Sequence, residues 1–282
     1  MDLLNAFIAL ANYVLVPGIA YGSQLALGAL GVTLVYGILR FSNFAHGDTM
    51  ALGAMSAVLI TWGFQSLGLS LGVLPTALLA LPFAIIITIG LLLGTDKLVY
   101  SFYREKKAKP VIFVIVSLGV TFVYNGITRF IIGAEDQRFL DGERFIISAR
   151  DFKEMTGLEE GLAIKTTQGL TVVTAVIVVA ALFWFLNKTR SGKSMRAYSD
   201  NEDLALLSGI DPERVVVIAW VLTAALATIA GTLYGLDKSF KPFTYFQLLL
   251  PIFAAAIVGG LGQAYGAIAG GLLIGFAETL AV

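Results

Sequence analysis

Cysteine is absent from the 282 residues, and histidine occurs once, at His46. The first absence excludes disulfides and thiolate metal sites, and the second excludes a histidine-based metal cluster. No metal or other cofactor is expected. Charge is sparse: 13% of the residues are Asp, Glu, Lys or Arg, against roughly 25% in soluble domains. The 19 basic and 19 acidic residues cancel. No basic surface is left to neutralise phosphates, so a nucleic-acid partner is excluded. No Lys or Arg precedes Arg40. The N-terminus therefore lacks the basic region of a signal peptide, and the first apolar run is expected to be kept.

Apolar side chains fill the space that charge leaves, at 57% of the sequence. Several runs exceed the roughly 18–20 residues that cross a bilayer. Eight are candidates: Pro17–Leu39, Thr49–Gln65, Val73–Gly94, Pro110–Ile132, Thr171–Leu186, Val215–Leu236, Tyr245–Gly262 and Ala264–Val282. Leu3–Val16 is apolar but short, and either lies along the interface or joins the first span. Lipid tolerates only helices or closed barrels, and these runs do not alternate. The expected fold is an all-α polytopic bundle of about eight transmembrane helices, forming one domain over residues 1–282.

Basic residues orient such a bundle. Thr95–Lys109 and Asn187–Arg214 hold five Lys or Arg each and are separated by two spans. Both are expected at the cytoplasmic face. Gly133–Thr167, with eight acidic and five basic residues, is then expected outside. Counting back with two spans puts the N-terminus outside as well.

The stretch Asn187–Arg214, NKTRSGKSMRAYSDNEDLALLSGIDPER, is a polar island between two spans. Gly192-Lys193-Ser194 ends like a phosphate-binding loop, but Asn187 stands where that motif needs glycine, and a membrane helix precedes it instead of a strand. This chain is not expected to bind ATP or to be an enzyme. Ser199 followed three residues on by Glu202 fits a capping box. Leu204, Leu206 and Leu207 give the short helix an apolar side, and Gly209 suits the left-handed residue that ends it. Asp211-Pro212 reads as the N-cap and first-turn proline of the next span. An apolar helix side with nothing to bury it in so short a loop requires a partner surface.

Polar residues inside apolar runs are the other candidates. Ser42–Asp48 (SNFAHGD) interrupts two of them. One reading is a discontinuous helix near a solute pathway, with Asn43, His46 and Asp48 as its polar groups. The other is a tight turn in which Ser42 or Asp48 caps the following helix. Both are open. Glu278 lies inside the last apolar segment, where an ionisable group faces either a protein interior or, near a span end, headgroup water. Asn125 and Arg129 share a helix face, with Arg129 placed to snorkel. Gly262, Gly266 and Gly270, followed by Gly271 and Gly275, predict close helix packing, within the chain or across a subunit interface.

Three blocks carry a resemblance over residues 35 to 278. They are Val35–Gly53 (VYGILRFSNFAHGDTMALG), the polar island with GKSMRA, NEDLALL and Gly209–Ile210, and Gly259–Glu278 (GGLGQAYGAIAGGLLIGFAE). The chain resembles the permease subunits of bacterial ABC importers that take up branched-chain amino acids. The resemblance implies a multi-pass protein of the bacterial cytoplasmic membrane that works by alternating access. It makes Ser199–Gly209 the cytoplasmic coupling helix, in contact with separate ATP-binding subunits. It also implies a second permease subunit, identical or homologous, and a soluble substrate-binding protein outside. Urea and short-chain amide importers belong to the same family and stay open as alternatives. Family members usually continue with another apolar segment past the position of Glu278. A secondary transporter or channel would need intramembrane charge pairs or an inverted repeat, and neither is evident. A structural membrane subunit without a pathway is the remaining reading.

Overall fold

The computed structural model describes residues 2–139, 142–158 and 160–281. Leu140, Asp141 and Glu159 of the long polar loop, and Val282 at the close of the last apolar run, lie outside these residues. The chain opens with α1 (Asp2–Leu10), which passes through a π-helical turn (Ala11–Leu15) into α2 (Val16–Leu39). Together they give one apolar helix of 37 residues, Leu3–Leu39, so Leu3–Val16 extends the first span.

After α3 (His46–Ser66), α4 (Ala77–Thr95) runs through a second π-helical turn (Asp96–Tyr100) into α5 (Ser101–Glu105). α6 (Pro110–Ile132) starts on proline, which supplies the helical φ and has no N–H to leave unpaired. The following loop carries β1 (Phe145–Ile147), α7 (Ala149–Thr156) and β2 (Ile164–Lys165), with β1 and β2 paired antiparallel. Then come α8 (Thr166–Lys188), α9 (Arg190–Asp200), α10 (Glu202–Leu207), α11 (Pro212–Lys238), α12 (Pro242–Val258) and α13 (Ala264–Ala281). Asp211 caps α11 as expected, its Oδ1 accepting from the Glu213 N–H at 3.0 Å.

Among the described residues, six helices are long and apolar enough to cross a membrane, where the sequence suggested eight. The other two candidates are helices, and each differs for a reason. α12 has 17 residues. α3 has 21 residues, but it includes His46, Asp48, Thr49, Ser56 and Thr61, and all of His46–Val58 is buried inside the protein. A helix enclosed by other helices does not need an apolar surface towards lipid. α3 is the core, and α4, α6, α11 and α12 pack around it.

The ends of the bundle sort by charge. Arg40, at the end of α2, hydrogen-bonds the Ser199 carbonyl on α9, so the polar island lies at that end. Tyr100, before the basic 101–109 connector, packs with a tilted ring against Phe41 beside it. At the opposite end the 133–167 loop pairs Gln137 with Phe240, Glu143 with Val73 and Ala163 with the Asn12 side chain. The N-terminal helix therefore starts on the side of the acidic loop.

α13 closes the bundle against α2. Cβ atoms on Gly271 and Gly275 would fall on the backbone of Ala26 and Gly22, so this seam exists only because both are glycine. Gly266 and Gly270 meet Gly259 and Ala255 of α12 just as closely. These glycines pack within the chain.

Candidate functional site

α2 stops because Arg40 takes a left-handed conformation (φ 56°), which turns the chain out of the helix. The chain then folds back instead of leaving the bundle. His46, the first residue of α3, lies against Gly31, and a Cβ there would sit 2.5 Å from His46 Cε1. Gly31 is eight residues before Leu39, so α3 starts about 12 Å inside the end of α2. Backbone at such depth needs its polar groups satisfied by protein. Asn43 Oδ1 accepts from the Ala45 N–H at 3.1 Å and from the Tyr100 hydroxyl at 3.3 Å. Ser117 Oγ accepts from the Phe44 N–H at 3.1 Å. Neither Ser42 nor Asp48 caps α3. Its N-cap is Ala45, which has no side chain to donate or accept.

The residues around this start are polar and fully enclosed. Asn43 is 2% exposed, and His46 and Asp48 are 0% exposed. Asn125, on α6, donates to Asp48 Oδ1 at 2.9 Å, while Asp48 Oδ2 meets no partner. Arg129, one turn along from Asn125, adds its positive charge to the surroundings of Asp48. Neither His46 ring nitrogen meets a partner at hydrogen-bonding geometry, although the Gly28 carbonyl lies close enough to interact. Buried polar atoms without a protein partner cost free energy unless water or solute satisfies them. The structure thus brings Asn43, His46, Asp48 and Asn125 together around one helix start.

Glu278 is not part of this cluster. It is exposed near the acidic-loop end, facing the Tyr21 hydroxyl in a cavity of about 670 Å³ that Tyr234, Asp237 and Lys238 also line. Sequence reading missed Gln24, which is 2% exposed with both amide atoms unpaired, four and seven residues from Gly28 and Gly31 on the same face of α2. It also missed Asp96. This carboxylate receives two hydrogen bonds from Arg104, at 2.9 and 3.1 Å, and one from Trp220 Nε1 at 2.8 Å. Trp220 stacks on Tyr100 at 5.3 Å, and Tyr100 in turn holds Asn43. The available signal was a lone acid placed ahead of a basic run.

The polar island forms two helices. The capping box expected at Ser199 is absent, because Ser199 lies within α9 and donates its hydroxyl to the Gly37 carbonyl of α2 at 3.0 Å. Asn201 takes the N-cap role, its Oδ1 accepting from the Leu204 N–H at 3.0 Å. Glu202 instead accepts from the Tyr198 hydroxyl at 2.7 Å. Burial, and then that hydrogen bond, push the Tyr198 hydroxyl above its usual range, so it remains a donor. Gly209 does take the left-handed conformation (φ 78°). Leu204, Leu206 and Leu207 are 61%, 44% and 86% exposed, while Ala205 alone turns inward.

A helix that begins inside the bundle, enclosed polar groups at its start and a polar two-helix island between spans describe a multi-pass membrane protein of the permease type. Residues 14–282 match the protein family described as branched-chain amino acid transport system, permease component, and the chain belongs to that family. Among its relatives is the high-affinity branched-chain amino acid transport system permease protein LivH of Escherichia coli K12. The two are 29% identical over 267 residues, which cover 93% of this chain and 83% of that protein. BraD of Pseudomonas aeruginosa, a permease protein of the same description, is 30% identical over 267 residues (94% and 84%). A probable LivH of Methanocaldococcus jannaschii is 29% identical over 273 residues (95% and 80%). No solved structure matches the chain.

Proposed function

We propose that this chain is the permease subunit of an ATP-driven importer of branched-chain amino acids. The observation that carries the reading is family membership over residues 14–282, with relatives named for that transport matching across nine-tenths of the chain. In this reading the basic end faces the cytoplasm. α10 there offers Leu204, Leu206 and Leu207 to a separate ATPase subunit, in the manner of a helix seated in a groove. Ser199 and Arg40 tie α9 to the end of α2, next to the break that leads to His46. Movement of the island would thereby reach the start of α3, the step that alternating access requires. A soluble binding protein would deliver solute at the acidic-loop end, and a second permease copy or homologue would complete the membrane part.

The test is uptake of labelled leucine into vesicles holding the chain with its ATPase and permease partners, the binding protein added outside. ATP-dependent accumulation is expected, and its absence from a complex that hydrolyses ATP would sink the reading. Orientation has its own test in this cysteine-free chain. Single cysteines at Lys106 and Asn201 should react with an impermeant maleimide only from the cytoplasm, and one at Glu143 only from outside. Reaction of Glu143→Cys and Asn201→Cys from the same side would overturn the arrangement.

Asn43 and His46 are proposed to serve the pathway. Asn43→Leu removes the acceptor for Ala45 and Tyr100, and His46→Leu removes the enclosed imidazole. Each should reduce uptake severalfold while the complex still assembles. Normal uptake by both would leave the segment a purely structural re-entry.

A further inference from the structure

The basic end holds a cavity of about 560 Å³, within the size range of small-molecule sites. It lies between α9, the last turns of α2, the end of α8 and the α12–α13 turn. Leu34, Ile38 and Leu186 give it an apolar floor. Lys193, Arg196 and Asp200 of α9 stand around it, and no ion pair among the described residues takes up any of the three. Thr33 also lines it. This residue is 2% exposed, yet its hydroxyl meets no hydrogen-bond partner.

The cavity is separate from the cluster at His46. His46 touches Gly31, and Thr33 is two residues further on, about 200° around the helix. None of Asn43, His46, Asp48 and Asn125 lines the cavity, although Leu34 and Ile38 lie one and two turns along α2 from Gly31.

We infer that the cavity binds the imported amino acid on the cytoplasmic side, and that its occupation restrains α9 and slows further import. The inference rests on the transport reading above. The lining matches a zwitterion with an aliphatic side chain. Lys193 and Arg196 suit the carboxylate, Asp200 suits the ammonium, and Leu34, Ile38 and Leu186 suit the side chain. Such an occupant bridges α9 to α2 and to the α12–α13 turn. It binds only while α9 stays against them, so it favours that state by its differential affinity. α9 is joined to α10 through Asn201 alone, so fixing one helix fixes the other.

Two measurements test this together. Tritiated L-leucine should bind saturably to the detergent-purified chain, and Arg196→Gln or Asp200→Asn should weaken binding about tenfold, the loss expected of one charge-assisted hydrogen bond. In vesicles with the full complex, L-leucine preloaded on the α9 side should slow initial uptake severalfold. Preloaded glycine, with no side chain for the apolar floor, should not. Arg196→Gln, outside the Ser199–Gly209 coupling stretch, should escape the slowing while importing normally into empty vesicles. Absence of saturable binding, or binding unchanged in the variants, overturns the site whether or not the chain transports. Poor import by Arg196→Gln into empty vesicles would make the cavity part of the transport route and overturn the restraint. A wild-type complex that binds leucine as expected but never accumulates it would sink the transport reading and leave the site standing.

Discussion

Replacing Leu206 and Leu207 by alanine should strip the ATP-hydrolysing subunit from the purified permease while leaving the permease folded and inserted. Both side chains project from the surface, so their loss opens no cavity in the protein. α10 keeps what forms it: the Asn201 cap, the inward Ala205 and the left-handed Gly209 that returns the Ile210 N–H to the Ala205 carbonyl at 3.1 Å. Burying one leucine in a partner contributes about 1.5–3 kcal/mol. Losing two should therefore weaken the contact by about a hundredfold or more. Co-purification reads the loss, and ATP hydrolysis should cease to respond to substrate. An undiminished yield of ATPase would place these leucines in the lipid headgroup region, as amphipathic helices often lie.

Asp96→Ala should destabilise the folded chain more than any other single polar substitution at the basic end. The carboxylate is 10% exposed and satisfies Arg104 and Trp220 at once. Its removal leaves a guanidinium and an indole N–H without their acceptor. Breaking a fully buried pair costs about 3–5 kcal/mol. Arg104 is 33% exposed and can turn to water, which lowers the expected cost to about 2–3 kcal/mol. Thermal unfolding in detergent should show a clear drop in midpoint, with a smaller drop for Arg104→Lys. Equal midpoints for wild type and Asp96→Ala would mean that the pair contributes nothing net.

How far the sequence revealed this fold follows from the range of the forces involved. Spans and caps are written locally. An apolar run such as Pro110–Ile132 and a signal such as Asp211-Pro212 each occupy neighbouring residues, and the structure has both. Ser199 was misread because two caps were on offer two residues apart. The Gly37 carbonyl, 162 residues away, engages Ser199 and leaves Asn201 to cap α10. The interruption at Ser42–Asp48 was visible in sequence, but its depth was not, because the contact between His46 and Gly31 sets it. Glu278 was another polar candidate inside an apolar run, and only three-dimensional packing shows that it lies apart from His46, near the acidic-loop end. Gln24 and Asp96 carried weak signals, one amide in a glycine-rich helix and one acid before a basic run.

The glycine seam between α2 and α13 also bears on how the chain is made. Gly22 leaves the ribosome about 250 residues before Gly271. At roughly 5–20 residues per second, that interval lasts on the order of 10–50 s. Throughout it, the small-residue strip of α2 has no partner from its own chain, and lipid tails fill a groove that backbone will later occupy. α13 must therefore displace lipid to close on α2. Lipid tails attract that strip about as well as leucine side chains do, so the close approach of two backbones drives the displacement. A bulky residue at Gly271 or Gly275 would act at this step, trapping chains whose α13 has entered the membrane without closing on α2.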